Sequence, residues 1–512
     1  MLKSENLYGL LAERFALVPE KVCLELEDGQ RYSYADLEAQ SARYANLLAS
    51  LGLRIGDRVA AQIDKSAQAV FLYLGCLRAG VVYLPLNAAY QEKEIAFFLG
   101  DAQPSLAVCR PDARTWFEPA ARKEGVAQLL ELDASGGGSL VEAASEQSPI
   151  FTNVASRPDD LAAIVYTSGT TGRSKGAMIT HRNLTSNAIA LCECWGFRSD
   201  DVLLHTLPLF HVHGLFVALH TALLSASTII FLPRFDSRQV LRYLGSATVF
   251  MGVPTYYVRL LAEPGFTQQL CRRVRLFVSG SAPLLFDTFQ EFQQRTGHTI
   301  VERYGMTETG MNSSNPYEGG ERRGGTVGLP LPGVEVRVVR EADRPLPANE
   351  IGDIQVRGPN VLPGYWRLPE KNEEEFTADG FFRTGDVGKF SADGYLTIVG
   401  RSKDLIISGG YNVYPKEIEL LLDELPGVEE SAVIGVPHPD FGEAVAAVVV
   451  PEEGSALSEE EVIAFVKGKL ANFKVPKRVY FARELPRNAM GKVQKNVLRS
   501  TYAARQYGGM SD

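Results

Sequence analysis

The chain has 512 residues, 45% of them hydrophobic and 22% charged, and this length calls for at least two domains. A formal net charge of -9 gives no support for nucleic acid or an anionic membrane surface as a partner. The six cysteines are scattered, without the second Cys/His pair that a zinc site needs, and read as buried free thiols in a reducing compartment.

Residues 1–150 alternate helical and strand patterns. Tyr34 to Leu51 carries apolar residues at helical spacing, Arg58 to Ile63 is strand-like, and Ser66 to Arg78 is helical with Gly80 as its stop. Val81 to Leu86 is the next strand. Strand–helix–strand order of this kind predicts an α/β fold with a largely parallel sheet covered by helices. The N-terminus lacks the apolar segment of a signal peptide, and the run Thr221 to Pro233 is too short and too broken by Ser and Thr to cross a bilayer. A cytoplasmic location is expected.

The apolar strand Leu161 to Tyr166 leads into a loop, Thr167 to Gly176, with three glycines, five hydroxyl side chains and two cations, Arg173 and Lys175. Glycines let backbone N–H groups approach an anion closely, and hydroxyls and cations add donors and charge. The loop therefore suits a polyphosphate, with a plain Ser/Thr/Gly surface loop as the alternative. It is not a Walker A loop, because Ser174 and Gly176 stand where that motif needs Gly and a Mg-binding Ser or Thr.

Thr180 caps a helix predicted from His181 to about Trp195. Val202 to Leu209 reads as a strand, and if the chain stays extended His211 and His213 face one side. No third metal ligand is near in sequence, so a pocket wall fits them better than a metal site, with simple packing as the alternative. Pro254 starts a helix to Leu261 that carries Arg259. That arginine either pairs with Glu263, snorkels, or meets a buried anion; sequence leaves these open. The strand Arg275 to Ser279 ends in a tight turn, and Thr299 to Arg303 is followed by Tyr304-Gly305-Met306-Thr307-Glu308. An aromatic, a hydroxyl and a carboxylate there suit a base, a phosphate and magnesium, with a bare structural loop as the alternative. From Gly325 to Gly400 short alternating strands predict a small antiparallel or barrel-like subdomain. Residues 404–512 read as a separate α+β domain, placing a boundary after 403.

Taken together, the segments Tyr166 to Gly176, Ser279 to Pro283, Tyr304 to Glu308, Arg383 to Asp386, Gly400 to Asp404 and Gly491-Lys492 resemble the acyl-adenylate-forming superfamily. The resemblance runs from the neighbourhood of Tyr34 to Lys495. It implies a large N-terminal adenylation domain (residues 1–403) and a small mobile C-terminal domain. It also implies a two-step reaction: a carboxylate attacks Mg-ATP to give acyl-AMP and pyrophosphate, and coenzyme A then displaces AMP. Thr167, Ser168, Gly169, Thr170, Thr171, Gly172 and Lys175 would hold the β- and γ-phosphates. Ser281, Ala282, Pro283 and the segment Glu302, Arg303, Tyr304, Gly305, Met306 would surround the nucleotide. Thr307 would touch the α-phosphate, Glu308 would help hold magnesium, and Asp386, assisted by Arg401, would bind the ribose. Lys492 would neutralise charge during adenylation. Lys403 would be the hinge for thioester formation, with Gly409, Gly410 and Tyr411 lining the pantetheine tunnel.

Within the superfamily the match is strongest to the malonyl-CoA synthetases, in Pro208 to Gly214, Met251 to Leu260, Ser279 to Leu284, Arg303 to Glu308 and Leu485 to Lys495. Malonate keeps one ionised carboxylate after the other is activated, and a desolvated charge needs a cation. On that resemblance Arg259 is the expected reader, with Ser279 and His211 as neighbouring donors. The alternatives are a ligase for another short or medium acid and an ATP-binding sensor without turnover. The segment around Lys492 also resembles sites that acetyltransferases modify.

Overall fold

The computed structural model describes residues 6–167, 174–408, 411–438, 442–467, 469–488 and 491–503. The first sheet runs Gln128–Glu131, Leu106–Cys109, Arg58–Gln62, Val82–Pro85, Leu161–Thr167, Lys175–Thr180, parallel except for the last pair. A second sheet has six parallel strands: Val22–Leu26, Thr228–Phe231, Val202–His205, Val249–Gly252, Leu276–Ser279 and Ile300–Met306. Antiparallel Arg31–Ser33 pairs at one edge, and Gly310–Ser314 with Leu329–Pro330 at the other. The predicted α/β class and parallel sheets are therefore present.

The helix Ala67–Ala79 shows why the two large sheets pack together. All of its side chains except Gln68 belong to buried residues. A helix apolar all round has no solvent face and must lie inside. Its ends follow local rules: Ser66 Oγ accepts from Ala69 N, and Gly80 closes it in the left-handed region at φ 68°. Gly75 lets the helix Tyr34–Ser50 approach, since a Cβ there would stand 2.6 Å from Tyr44 Cβ.

The antiparallel subdomain is a five-stranded sheet, Arg344–Pro345, Glu335–Arg340, Gly352–Arg357, Phe382–Phe390, Leu396–Arg401. After Ser402–Asp404 the chain enters a further sheet built on the Val428–His438 and Gly442–Pro451 hairpin. That sheet is covered on both faces. Val445, Ala447 and Val449 pack under the helices Pro415–Leu422 and Glu459–Lys467, while Ala446 and Val448 pack under Lys495–Ala503. The last helix was not anticipated from the sequence.

One sequence expectation fails. The strand at Val202 stops at His205, and Pro208 takes the chain out of the ladder. A π-helical turn, His213–Leu219, follows directly. Gly214 seats that turn against the strand end, where a Cβ would lie 2.1 Å from Pro208 O. His211 and His213 therefore do not share one side of an extended strand; His213 N donates to His211 Nδ1 at 3.2 Å.

Candidate active site

The carboxyl ends of the parallel strands and two neighbouring segments converge on one cleft, where such folds bind ligands. The segment after Ile300–Met306 is its hub. Glu308 is buried, and one oxygen, Oε1, accepts from Thr167 Oγ1 at 3.3 Å and Tyr365 Oη at 3.1 Å. Both partners are neutral, and no cation pairs with this carboxylate among the described residues. A buried carboxylate with only neutral donors fits a hard cation. No group of three or more His, Cys, Asp or Glu able to hold a metal occurs among the described residues. A magnesium ion would thus take most of its ligands from nucleotide phosphates and water.

Two further carboxylates lie nearby. Asp386 is held on both sides, by Tyr304 Oη at 2.5 Å and Arg401 Nε at 2.9 Å. Its place opposite Arg401 is fixed by the pairing of their strands. Glu302 accepts from Gly325 N at 2.9 Å, and burial pushes its carboxyl up to about 8.

On the other flank sits Arg303. It is 4% exposed, and its Nε and Nη2 have no hydrogen-bond partner among the described residues. Burial pulls its guanidinium down to about 9, so it is still cationic at neutral pH. The side chain lies against Gly280, where a Cβ would meet its Nε at 2.5 Å. Ser279, next in the chain, is buried with an unpartnered Oγ. Ser281 adopts φ 72° in this turn, and its Oγ lies 3.3 Å from His213 Nδ1. Burial, Lys492 and Arg303 hold His211 down to about 3, so its imidazole is neutral. With Nδ1 accepting from His213 N, the His211 proton is on Nε2.

Lys492 reaches this cleft from the C-terminal sheet's side. Burial first, then Arg401, lowers its ammonium to about 8, while Asp386 and Glu308 oppose the shift. Next to it, Gly491 lies close to Thr255, whose Oγ1 would stand 3.3 Å from a Cβ at that position. Both line a cavity of about 480 Å³ whose charged residues are Asp64, Lys65, Arg234, Arg259 and Arg487. Arg259 is exposed on this cavity's wall. Its pairing with Glu263 is absent; Glu263 Oε1 accepts from Ser237 Oγ at 2.6 Å instead.

The cleft thus gathers Thr167, His211, Ser279, Ser281, Arg303, Tyr304, Glu308, Asp386, Arg401 and Lys492. Lys175 stands opposite Thr167 in the hairpin, its Nζ 3.2 Å from Glu375 Oε1 and 4.0 Å from the centroid of the Tyr365 ring. Ser168, Gly169, Thr170, Thr171, Gly172, Gly409 and Gly410 lie outside the described residues, as does the side chain of Tyr411. Sequence reasoning missed Tyr365 and Glu375. Only an aromatic following Gly364 marked the first, and nothing marked the second.

Known proteins resemble this chain over nearly its whole length. The family described as AMP-binding enzyme matches residues 11–366, and the AMP-binding enzyme C-terminal domain matches residues 417–492. The chain belongs to the AMP-binding enzyme family. It is 36% identical to the malonate–CoA ligase of Arabidopsis thaliana, over 93% of this chain and 85% of that one. It is 37% identical to a feruloyl-CoA synthase of an Amycolatopsis species, over 93% of this chain and 94% of that one. The crystal structure of ATP-bound MatB from Rhodopseudomonas palustris superposes with a TM-score of 0.95 at 53% identity, covering 98% of this chain and 99% of that one. This AMP-binding enzyme is an AMP-forming acyl-CoA ligase. No helix among its described residues is long and apolar enough to cross a membrane.

Proposed function

We propose that the protein ligates malonate to coenzyme A through malonyl-AMP, consuming ATP and releasing AMP and pyrophosphate. The observation that carries the choice of acid is the buried guanidinium of Arg303 beside Ser279, whose Nε and Nη2 have no partner among the described residues. Adenylation consumes the charge of the reacting carboxyl. A monocarboxylate would leave Arg303 without a counter-ion, whereas malonate brings a second carboxylate that stays ionised. Likeness to the A. thaliana malonate–CoA ligase and to MatB supports the same acid.

In this reading the distal carboxylate meets Arg303 from the buried side and Arg259 from the cavity side. Ser279 Oγ and His211 Nε2 donate to it. The other carboxylate attacks the α-phosphorus of ATP. An acyl–phosphate bond forms, the α–β anhydride breaks, and pyrophosphate leaves along Thr167 to Lys175. Lys492 and Thr307 meet the charge that builds on the non-bridging oxygens. Magnesium, when bound through Glu308, supplies charge neutralisation to the phosphates. Tyr304 and the Ser281-Ala282-Pro283 turn flank adenine, and Asp386 with Arg401 takes the ribose. Coenzyme A, a polyanion, suits the cavity carrying Arg234, Arg259 and Arg487 against the single carboxylate of Asp64. Its sulfur forms the thioester as the acyl–phosphate bond breaks and AMP leaves. For this second step residues 404–512 turn about Lys403 against residues 1–403, and an acetyltransferase acting on Lys492 would switch off the first.

ATP–pyrophosphate exchange with malonate, methylmalonate, succinate and acetate tests the reading. Malonate should support the fastest exchange. Arg303→Met leaves a buried carboxylate unpaired and should cost about 3–5 kcal/mol in malonate kcat/KM. Arg259→Ala, at a solvated position, should cost about 1 kcal/mol. Both should spare ATP binding. If either variant keeps the wild-type preference for malonate over acetate, that arginine does not read the acid. Exchange with no carboxylic acid at all would leave an ATP-binding sensor.

A further inference from the structure

We propose that Tyr365 is the positioning residue that holds Glu308 and Lys175 in fixed register, so that the metal-binding carboxylate and the phosphate-loop cation act as one preset grip on magnesium–triphosphate. This rests on the nucleotide-site reading above and adds a residue to it. The Tyr365 segment is a short extra edge on the strand Lys175–Thr180. Met178 N donates to Gly364 O at 3.1 Å, Trp366 N donates to Gly176 O at 2.8 Å, and Tyr365 bridges Ala177. That register puts the Tyr365 ring beneath Lys175 Nζ, 4.0 Å from its centroid, and the phenol Oη 3.1 Å from Glu308 Oε1. The ring is 2% exposed, so it has one seat.

A second layer fixes the tyrosine itself. Asn372, in the helix Pro369–Glu375, accepts from Tyr365 N at 2.6 Å and donates to Tyr365 O at 3.2 Å. Gly364 makes room for that amide, because a Cβ there would lie 2.5 Å from Asn372 Nδ2. The same helix supplies Glu375, which holds Lys175 at 3.2 Å. One aromatic side chain thus links both poles of the site, and a partner that orients a metal-binding carboxylate governs affinity for the ion.

Binding of magnesium–ATP is measured by titration calorimetry on the full chain without any acid, across a magnesium series, for wild type, Tyr365→Phe and Tyr365→Leu. Tyr365→Phe keeps the ring and loses the donor. It should raise the magnesium concentration for half-maximal ATP binding by roughly tenfold, with an unchanged melting temperature. Tyr365→Leu also removes the ring under Lys175 and should weaken ATP at saturating magnesium. A Tyr365→Phe protein with wild-type magnesium dependence overturns the inference. So does one whose binding falls equally at every magnesium concentration. Failure of wild type to bind magnesium–ATP would instead strike the nucleotide-site reading.

Discussion

Lys492 carries the most chemistry per atom in this cleft, and its setting makes its protonation measurable. Burial and Arg401 bring its ammonium down to about 8. Below that pH it is charged, and the charge is lost as pH rises through it. Malonate-dependent ATP–pyrophosphate exchange at low ATP should therefore fall on the alkaline side near pH 8, and Lys492→Arg should move that limb upward. Lys492→Gln, which imitates acetyl-lysine, should slow exchange by about a hundredfold or more. It should leave thioester formation from synthetic malonyl-AMP largely intact. Equal loss in both assays would remove the lysine from its assigned step. Arg303 marks the limit of sequence reading at this scale. Its motif identified it as a nucleotide-side residue, but that its Nε and Nη2 find no partner among the described residues is a fact of three-dimensional packing. Nothing along the chain tells that Gly280 makes room for its guanidinium.

At the scale of single elements, legibility followed the strength of local signals. The helix Ala67–Ala79 was readable because Ser66 and Gly80 bracket it with a cap and a left-handed stop. The helix Pro254–Leu261 was readable from its leading proline. The path from His205 to Leu219 was not, because a π-helical turn has no residue pattern of its own and depends on Gly214 fitting against Pro208. The close approach at Gly75 was equally silent: within an apolar run it reads as one more small residue. It gives a packing prediction. Gly75→Ala places a methyl 2.6 Å from Tyr44 Cβ, so the helices must part at a cost of about 1–3 kcal/mol. A lower unfolding midpoint with unchanged activity per folded molecule is expected. An unchanged midpoint would mean that the helix pair is not tightly seated there.

For the whole molecule the question is how two half-reactions share one cleft. The chain leaves the five-stranded antiparallel sheet at Arg401 and joins the C-terminal sheet at Ile406. Only Ser402 to Leu405 lie between. Ser402 Oγ donates to Asp353 Oδ1 at 2.7 Å, while Asp404 pairs with Arg499. Each side of Lys403 is thereby tied to a different body, which suits a pivot at that residue. Lys403→Pro should keep malonate-dependent exchange and impair thioester formation; equal loss of both would argue against a pivot. The order of the motifs made the two-body plan legible, since both the loop at Thr167 and Lys492 were needed for one reaction. The meeting of Lys492 with Arg303 and Asp386 was not legible, because it depends on how the bodies are set against each other.

A buried guanidinium whose Nε and Nη2 have no partner among the described residues costs folding free energy that a bound carboxylate removes. Malonate offered alone, before any nucleotide, should then behave as a missing piece of the core and raise the heat-denaturation midpoint. At a hundred times its dissociation constant the gain would be about 2.7 kcal/mol. Acetate, whose single carboxylate can meet either Arg303 or the adenylation side but not both, should raise the midpoint less at the same concentration, so the difference between two melting curves reports acid preference with no catalysis at all.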